Sequence, residues 1–141
     1  MKKKLSLALA AALAVSMLSG CSKAIPLPEE MDQDEVASAA QAIVEQLLEE
    51  DYQAVVDAFR PDLKEQYGVT VQMIEDLMAT VEDAGAFVGM GETLVLGGKN
   101  KEFDEPYAAV SIYCQHEEDD VIYEMSLDLD LELLGLAAKK R

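Results

Sequence analysis

The chain has 141 residues, with 28 acidic side chains against 11 basic ones, a formal charge of −17, and 50% hydrophobic residues. A surface this acidic repels nucleic acid and anionic lipid headgroups, and two cysteines with one histidine are too few for a disulfide framework or a thiolate zinc centre. The residues beyond the N-terminal stretch suffice for one modest hydrophobic core, and no internal repeat points to a second domain.

Met1-Lys2-Lys3-Lys4 leads into an apolar run from Leu5 to Met17, broken by Ser6 and Ser16. This is the charged start and short apolar centre of an export signal, and it is shorter than the roughly 20 residues needed to span a bilayer. The run ends in Leu18-Ser19-Gly20-Cys21, which resembles the lipobox of bacterial lipoprotein precursors. The resemblance implies cleavage between Gly20 and Cys21 and a diacylglycerol thioether on Cys21. That would hold the protein to the outer side of a cell membrane, as at a Gram-positive cell surface. Several acyl chains anchor stably where one does not. Loss of residues 1–20 would remove Lys2, Lys3 and Lys4, leaving 8 basic residues against 28 acidic ones and a formal charge of −20. An ordinary secretory cut near Ser19 or Gly20 is the alternative.

Residues 21–33 contain Pro26 and Pro28, scattered charge and no periodicity, and are read as a lipidated cysteine and tether able to reach roughly 30 to 40 Å when extended. One α+β domain is expected over residues 34–136, with 137–141 as a solvated basic tail. Val36, Ala39, Ala40, Ile43, Val44, Leu47 and Leu48 follow the spacing of one helix face, with Asp32 or Asp34 as cap. A short second helix carries Val55, Val56 and Phe59, and stops at Arg60 because Pro61 disfavours helix in the residue before it. A third is expected from Val71 to about Asp83, behind Thr70 and ending at Gly85.

Beyond Gly85 the period changes to two. Strands are expected over Phe87–Leu96, Tyr107–Gln115 and Val121–Leu127, with Gly97-Gly98-Lys99-Asn100 as a turn and His116–Asp120 as a polar tip. The glycine pair lacks the spacing and the Lys-Ser/Thr ending of a phosphate loop. Leu127–Leu133 alternates strictly. It can be one long strand or a turn near Asp130 before a short last strand, and the turn is favoured.

Asp51-Tyr52-Gln53-Ala54-Val55-Val56 with Phe59, Leu63 with Thr70, Gly85-Ala86-Phe87, Leu127-Asp128 and Leu133-Leu134-Gly135-Leu136 together resemble the family catalogued as domain of unknown function 3887. The resemblance runs from about Val36 to Leu136 and implies the cone-shaped α+β fold of nuclear transport factor 2. Three N-terminal helices would then pack on a curved antiparallel sheet of three to four strands. In such relatives the last two strands meet at an Asp-Gly-like turn, and Leu129-Asp130-Leu131 lacks that glycine.

Cone-fold relatives include isomerases and dehydratases that move a proton with a buried Asp or His. Here His116 stands among acidic residues at a strand end, where a solvated side chain is expected, and no Gly-x-Ser-x-Gly elbow occurs. Glu117–Asp120, or Asp128, Asp130 and Glu132, offer oxygen ligands for calcium, but without EF-hand spacing they read as a water-facing surface. Cys114, left without a partner, reads as a small buried apolar residue. Phe59, Tyr67, Phe87 and Tyr123 are the candidate pocket lining. No catalytic residue, metal or cofactor is assigned. The expectation is a non-enzymatic module that engages a protein partner or small apolar ligand. The alternatives are a small isomerase, dehydratase or hydrolase, or an accessory or inhibitor of an envelope enzyme.

Overall fold

The computed structural model describes residues 25–99 and 105–141. The cleavage and lipidation positions, Gly20 and Cys21, lie outside the described residues, as does Asn100. Among the described residues the fold is α+β: four α-helices, then a four-stranded antiparallel sheet on which the helices pack.

Helix α1 spans Gln33–Leu48, and the Asp32 carboxylate accepts the backbone N–H groups of Asp34 and Glu35 at 2.9 and 3.0 Å. Those are donors that a helix start leaves without partners. Its apolar stripe buries Val36, Ala40, Ile43, Val44 and Leu47. Helix α2 spans Tyr52–Ala58 behind Asp51, and extended backbone at Phe59 ends it. A further helix follows, α3 over Pro61–Tyr67, which sequence reasoning did not anticipate. Pro61 stops α2 and also starts α3. Its fixed φ suits the first helical position, where a missing N–H costs nothing. Gly68, at φ 61°, closes this helix in the left-handed conformation.

Helix α4 runs Val71–Ala79 and is shorter than its apolar spacing predicts. The Thr80 hydroxyl donates to Leu77 O at 2.6 Å, and a 3₁₀ turn over Glu82–Ala84 follows. Met73, Ile74, Leu77 and Val81 are buried, and Val71 and Met78 are partly exposed.

Strands β1 (Phe87–Gly98), β2 (Tyr107–His116), β3 (Asp120–Leu127) and β4 (Leu133–Lys140) form a meander in the order β1-β2-β3-β4. The register pairs Gly98 with Tyr107, Ala108 with Leu127, and Leu127 with Leu133, so these residues mark one end of the sheet. Phe87, His116, Asp120 and Lys140 mark the other. Val110, Ile112 and Cys114 of β2 and Val121, Tyr123, Met125 and Leu127 of β3 join the buried helix residues in the main core. Ser111, Glu124, Ser126 and Ala137 alternate onto the other face of the sheet and are also buried.

Three expectations need correction. Gly97 and Gly98 belong to β1 and are not a turn, because Pro26 passes over Gly97 and the Tyr107 ring lies on Gly98, where any side chain would collide. Residues 25–33 are not a free tether: Gly97 N donates to Ile25 O at 2.8 Å, Leu27 packs on the core, and Met31 is buried. The basic end is not a solvated tail, since β4 continues through Lys140. Lys139 pairs with Glu124, Lys140 with Asp83, and the Arg141 guanidinium lies over the Tyr113 ring.

The favoured turn between β3 and β4 is present, and it forms without glycine. Leu131 itself takes the left-handed conformation, at φ 64°. Leu131 N donates to Asp128 O at 2.9 Å, and the Asp128 carboxylate accepts the N–H groups of Asp130 and Glu132, each at 2.9 Å.

Candidate functional site

At the sheet end marked by Leu127 and Leu133, an open cleft of about 510 Å³ is lined by Arg60, Asp62, Glu105, Asp128, Leu129 and Asp130. Arg60 organises it. Pro61 holds Arg60 in extended backbone, and Arg60 N donates to Leu133 O at 3.0 Å, which docks the α2–α3 link on the edge of β4. From there the guanidinium Nε reaches Asp62 Oδ1 at 2.8 Å, while Nη1 meets the Glu105 carboxylate and lies 3.6 Å from Asp128 Oδ2. The acidic neighbours hold the guanidinium proton more firmly than usual, through the hydrogen bonds it donates to Asp62 first and Glu105 next. The same bond to Arg60 holds the Asp62 carboxyl below its ordinary range.

Four carboxylates face one guanidinium here, so the cleft keeps an excess of negative charge. Asp128 is the buried member, and its Oδ1 is already committed to two backbone N–H groups. One oxygen from each of Asp128, Asp130 and Glu132 lies within 4.8 Å of the others, a spacing that suits a cation. No histidine, serine or cysteine lines the cleft. Its excess of carboxylates suits recognition of a positive group.

The four residues expected to line a pocket do not share one. Phe59 and Tyr123 are buried in the main core. Tyr67 packs on the smaller cluster of Leu63, Tyr107 and Leu134. Phe87 is 40% exposed at the far end of the sheet. Phe87 and Tyr123 meet only through His116, whose ring centroid is 5.7 Å from that of Phe87 and whose Nε2 is 3.3 Å from the Tyr123 hydroxyl. His116 is buried, in contrast to the solvated state expected for it, because the period of β2 places it on the core face with Ile112 and Cys114. Its Nδ1 lies 2.9 Å from Gly85 O. A carbonyl only accepts, so Nδ1 carries the hydrogen and Nε2 accepts from Tyr123. Nδ1 thus holds the end of β2 to the loop before β1, and Nε2 ties it to β3.

Sequence reasoning missed Arg60 and Glu105. The one available signal was Arg60 itself, a cation before a proline in an acid-rich chain. Cys114 is buried as expected, and burial pushes its thiol up to about 11. Native protein at pH 8 is therefore expected to resist iodoacetamide at Cys114 and to be alkylated there only after unfolding in urea, as peptide mass mapping will show. Prompt alkylation of the native state would contradict the packing of β2.

Residues 40–136 match the family model described as "Protein of unknown function (DUF3887)". Among solved structures, the NMR structure of a protein from Ruminococcus gnavus is similar, with a TM-score of 0.67 and 25% identity. The similarity covers 81% of this chain and 96% of that one. No curated protein matches the sequence.

Proposed function

The chain belongs to the DUF3887 family of proteins of unknown function, and from that premise we propose that it is a lipid-anchored, extracytoplasmic binding module with the cone-shaped fold of nuclear transport factor 2. The anchor rests on Leu18-Ser19-Gly20-Cys21 behind a charged and apolar leader. The binding reading rests on one observation: the cleft around Arg60 is lined by four carboxylates against one guanidinium and keeps an excess of negative charge. Its complement is a protein partner that presents a lysine or arginine side chain at the outer membrane surface.

The anchor is tested by expressing the full chain in a bacterial host and measuring the intact mass of the membrane fraction. Loss of residues 1–20 and gain of a diacylglycerol on Cys21 are expected, and Cys21→Ser is expected to leave the membrane or stay unprocessed. Unchanged processing and membrane retention of Cys21→Ser would refute the anchor. Turnover of any member of a panel of esters, lactones and conjugated ketones, lost on substitution of a cleft residue, would refute the non-catalytic reading.

A further inference from the structure

We propose that β1, the edge strand of the sheet, is a membrane-apposed strip that lies against the bilayer to which the chain is anchored. The inference rests on the lipid-anchor reading of Cys21 and adds an orientation to it. Only three residues separate Cys21 from Ile25, and Ile25 is already bonded to Gly97 of β1. Four residue steps span at most about 14 Å, so the reach of 30 to 40 Å expected for a tether of residues 21–33 shrinks to less than half. The domain is held close to the lipid by β1.

The surface along the rest of β1, from Leu94 to Phe87 at the far end of the strand, suits a strip laid against lipid. Three of the four exposed large hydrophobics of the described residues, Phe87, Val88 and Leu94, belong to β1, at 40%, 55% and 37% exposure. Across the twelve residues of β1 the only charged side chain is Glu92, in a chain whose formal charge is −17. A long apolar edge strand left in water invites pairing with other chains, and proteins usually cover or charge such an edge. Register shifts between Phe87 and Gly89 and between Met90 and Thr93 bend part of this edge but leave Val88 outward and apolar. A bilayer surface supplies the cover. Amphipathic elements settle about 5 to 10 Å into the headgroup boundary by their apolar side. The acidic cleft lies by β4, across the sheet from β1. With neighbouring strands about 4.8 Å apart, that is roughly 14 Å farther from the lipid.

The experiment uses the full-length acylated protein in phosphatidylcholine vesicles containing doxyl-labelled lipid. Single cysteines carrying a fluorophore replace Val88 and Leu94 on β1, and exposed Glu49 and Glu65 on the helices, with Cys114 protected by burial. Quenching at Val88→Cys and Leu94→Cys is expected to be roughly threefold or more that at Glu49→Cys and Glu65→Cys. Equal quenching at all four positions, or stronger quenching on the helices, in protein whose intact mass confirms acylation would overturn the orientation and leave the anchor standing. A mass without acyl chains would overturn the anchor, and the orientation with it.

Discussion

Replacing Arg60 by methionine is expected to lower the unfolding free energy by about 3 kcal/mol, the scale seen when one partner of a buried ion pair is removed. The three arms of the guanidinium do not count equally. Asp62 and Glu105 are 62% and 42% exposed, so water screens both pairs and they contribute little. Asp128 is 7% exposed, and without Arg60 it would keep its charge out of water beside other carboxylates. Urea denaturation of Arg60→Met, Asp62→Ala and the double variant Arg60→Met/Asp128→Asn separates these contributions. Asp62→Ala should cost far less than Arg60→Met, and the double variant should recover about half of the Arg60→Met loss, since asparagine keeps the Oδ1 acceptor and drops the charge. Arg60→Met matching the wild type would show that Asp128 does not depend on Arg60.

The Arg60 variant also changes the acid response. The Asp62 carboxyl is held below its ordinary value by Arg60, so its contribution to stability is present above the unfolded value near 3.9 and is lost as pH falls through the folded one. Arg60→Met should therefore flatten the decline in stability below about pH 4. A denaturation series from pH 2 to 6 reads that slope directly.

Glu124 and Lys139 are expected to respond in opposite directions. Glu124 is 1% exposed in the middle of β3, between Ser111 and Ala137 on its neighbouring strands. Neither carboxylate oxygen has a hydrogen-bond partner, and its compensation is the Lys139 ammonium, 3.2 Å from Oε1 without hydrogen-bond geometry. Taking a carboxylate out of water costs several kcal/mol, and a single half-exposed lysine offsets that poorly. Lys139→Met should thus cost about 2 to 3 kcal/mol, whereas Glu124→Leu should be neutral or stabilise by about 1 kcal/mol. Thermal and urea unfolding of the two variants decide the matter. A Glu124→Leu variant less stable than Lys139→Met would mean that the carboxylate makes a contribution its contacts do not reveal.

The parts of this fold that were legible in the sequence are those where one physical signal acts alone. The apolar stripe of α1 and the alternation of β2 and β3 each report one buried face, and Asp32 and Thr70 cap where short polar side chains were expected. Errors arose where one residue type serves two ends. Pro61 signals a stop and is equally a start. Gly97 and Gly98 carry the composition of a turn and are spaces for Pro26 and Tyr107, contacts that only the folded chain brings together. The charge of Lys139 and Lys140 suggests a solvated tail, yet each finds its partner on another element. The cleft was illegible for a related reason. Arg60 and Glu105 are 45 residues apart, and no local pattern announces such a pairing.

The parallel bridge between Phe59 and Leu133 has a consequence for how copies of the chain meet. A bare sheet edge can zip one copy to the next into a fibre. The outer edge of β4 is blocked at one end by Phe59 and Arg60, whose backbone already occupies the Leu133 carbonyl. At its other end β4 carries Lys139 and Lys140, and lysines on an edge strand disfavour pairing with another chain. A polymer needs two free edges on every unit, so closing β4 leaves a sheet that can be met from one side only and cannot propagate.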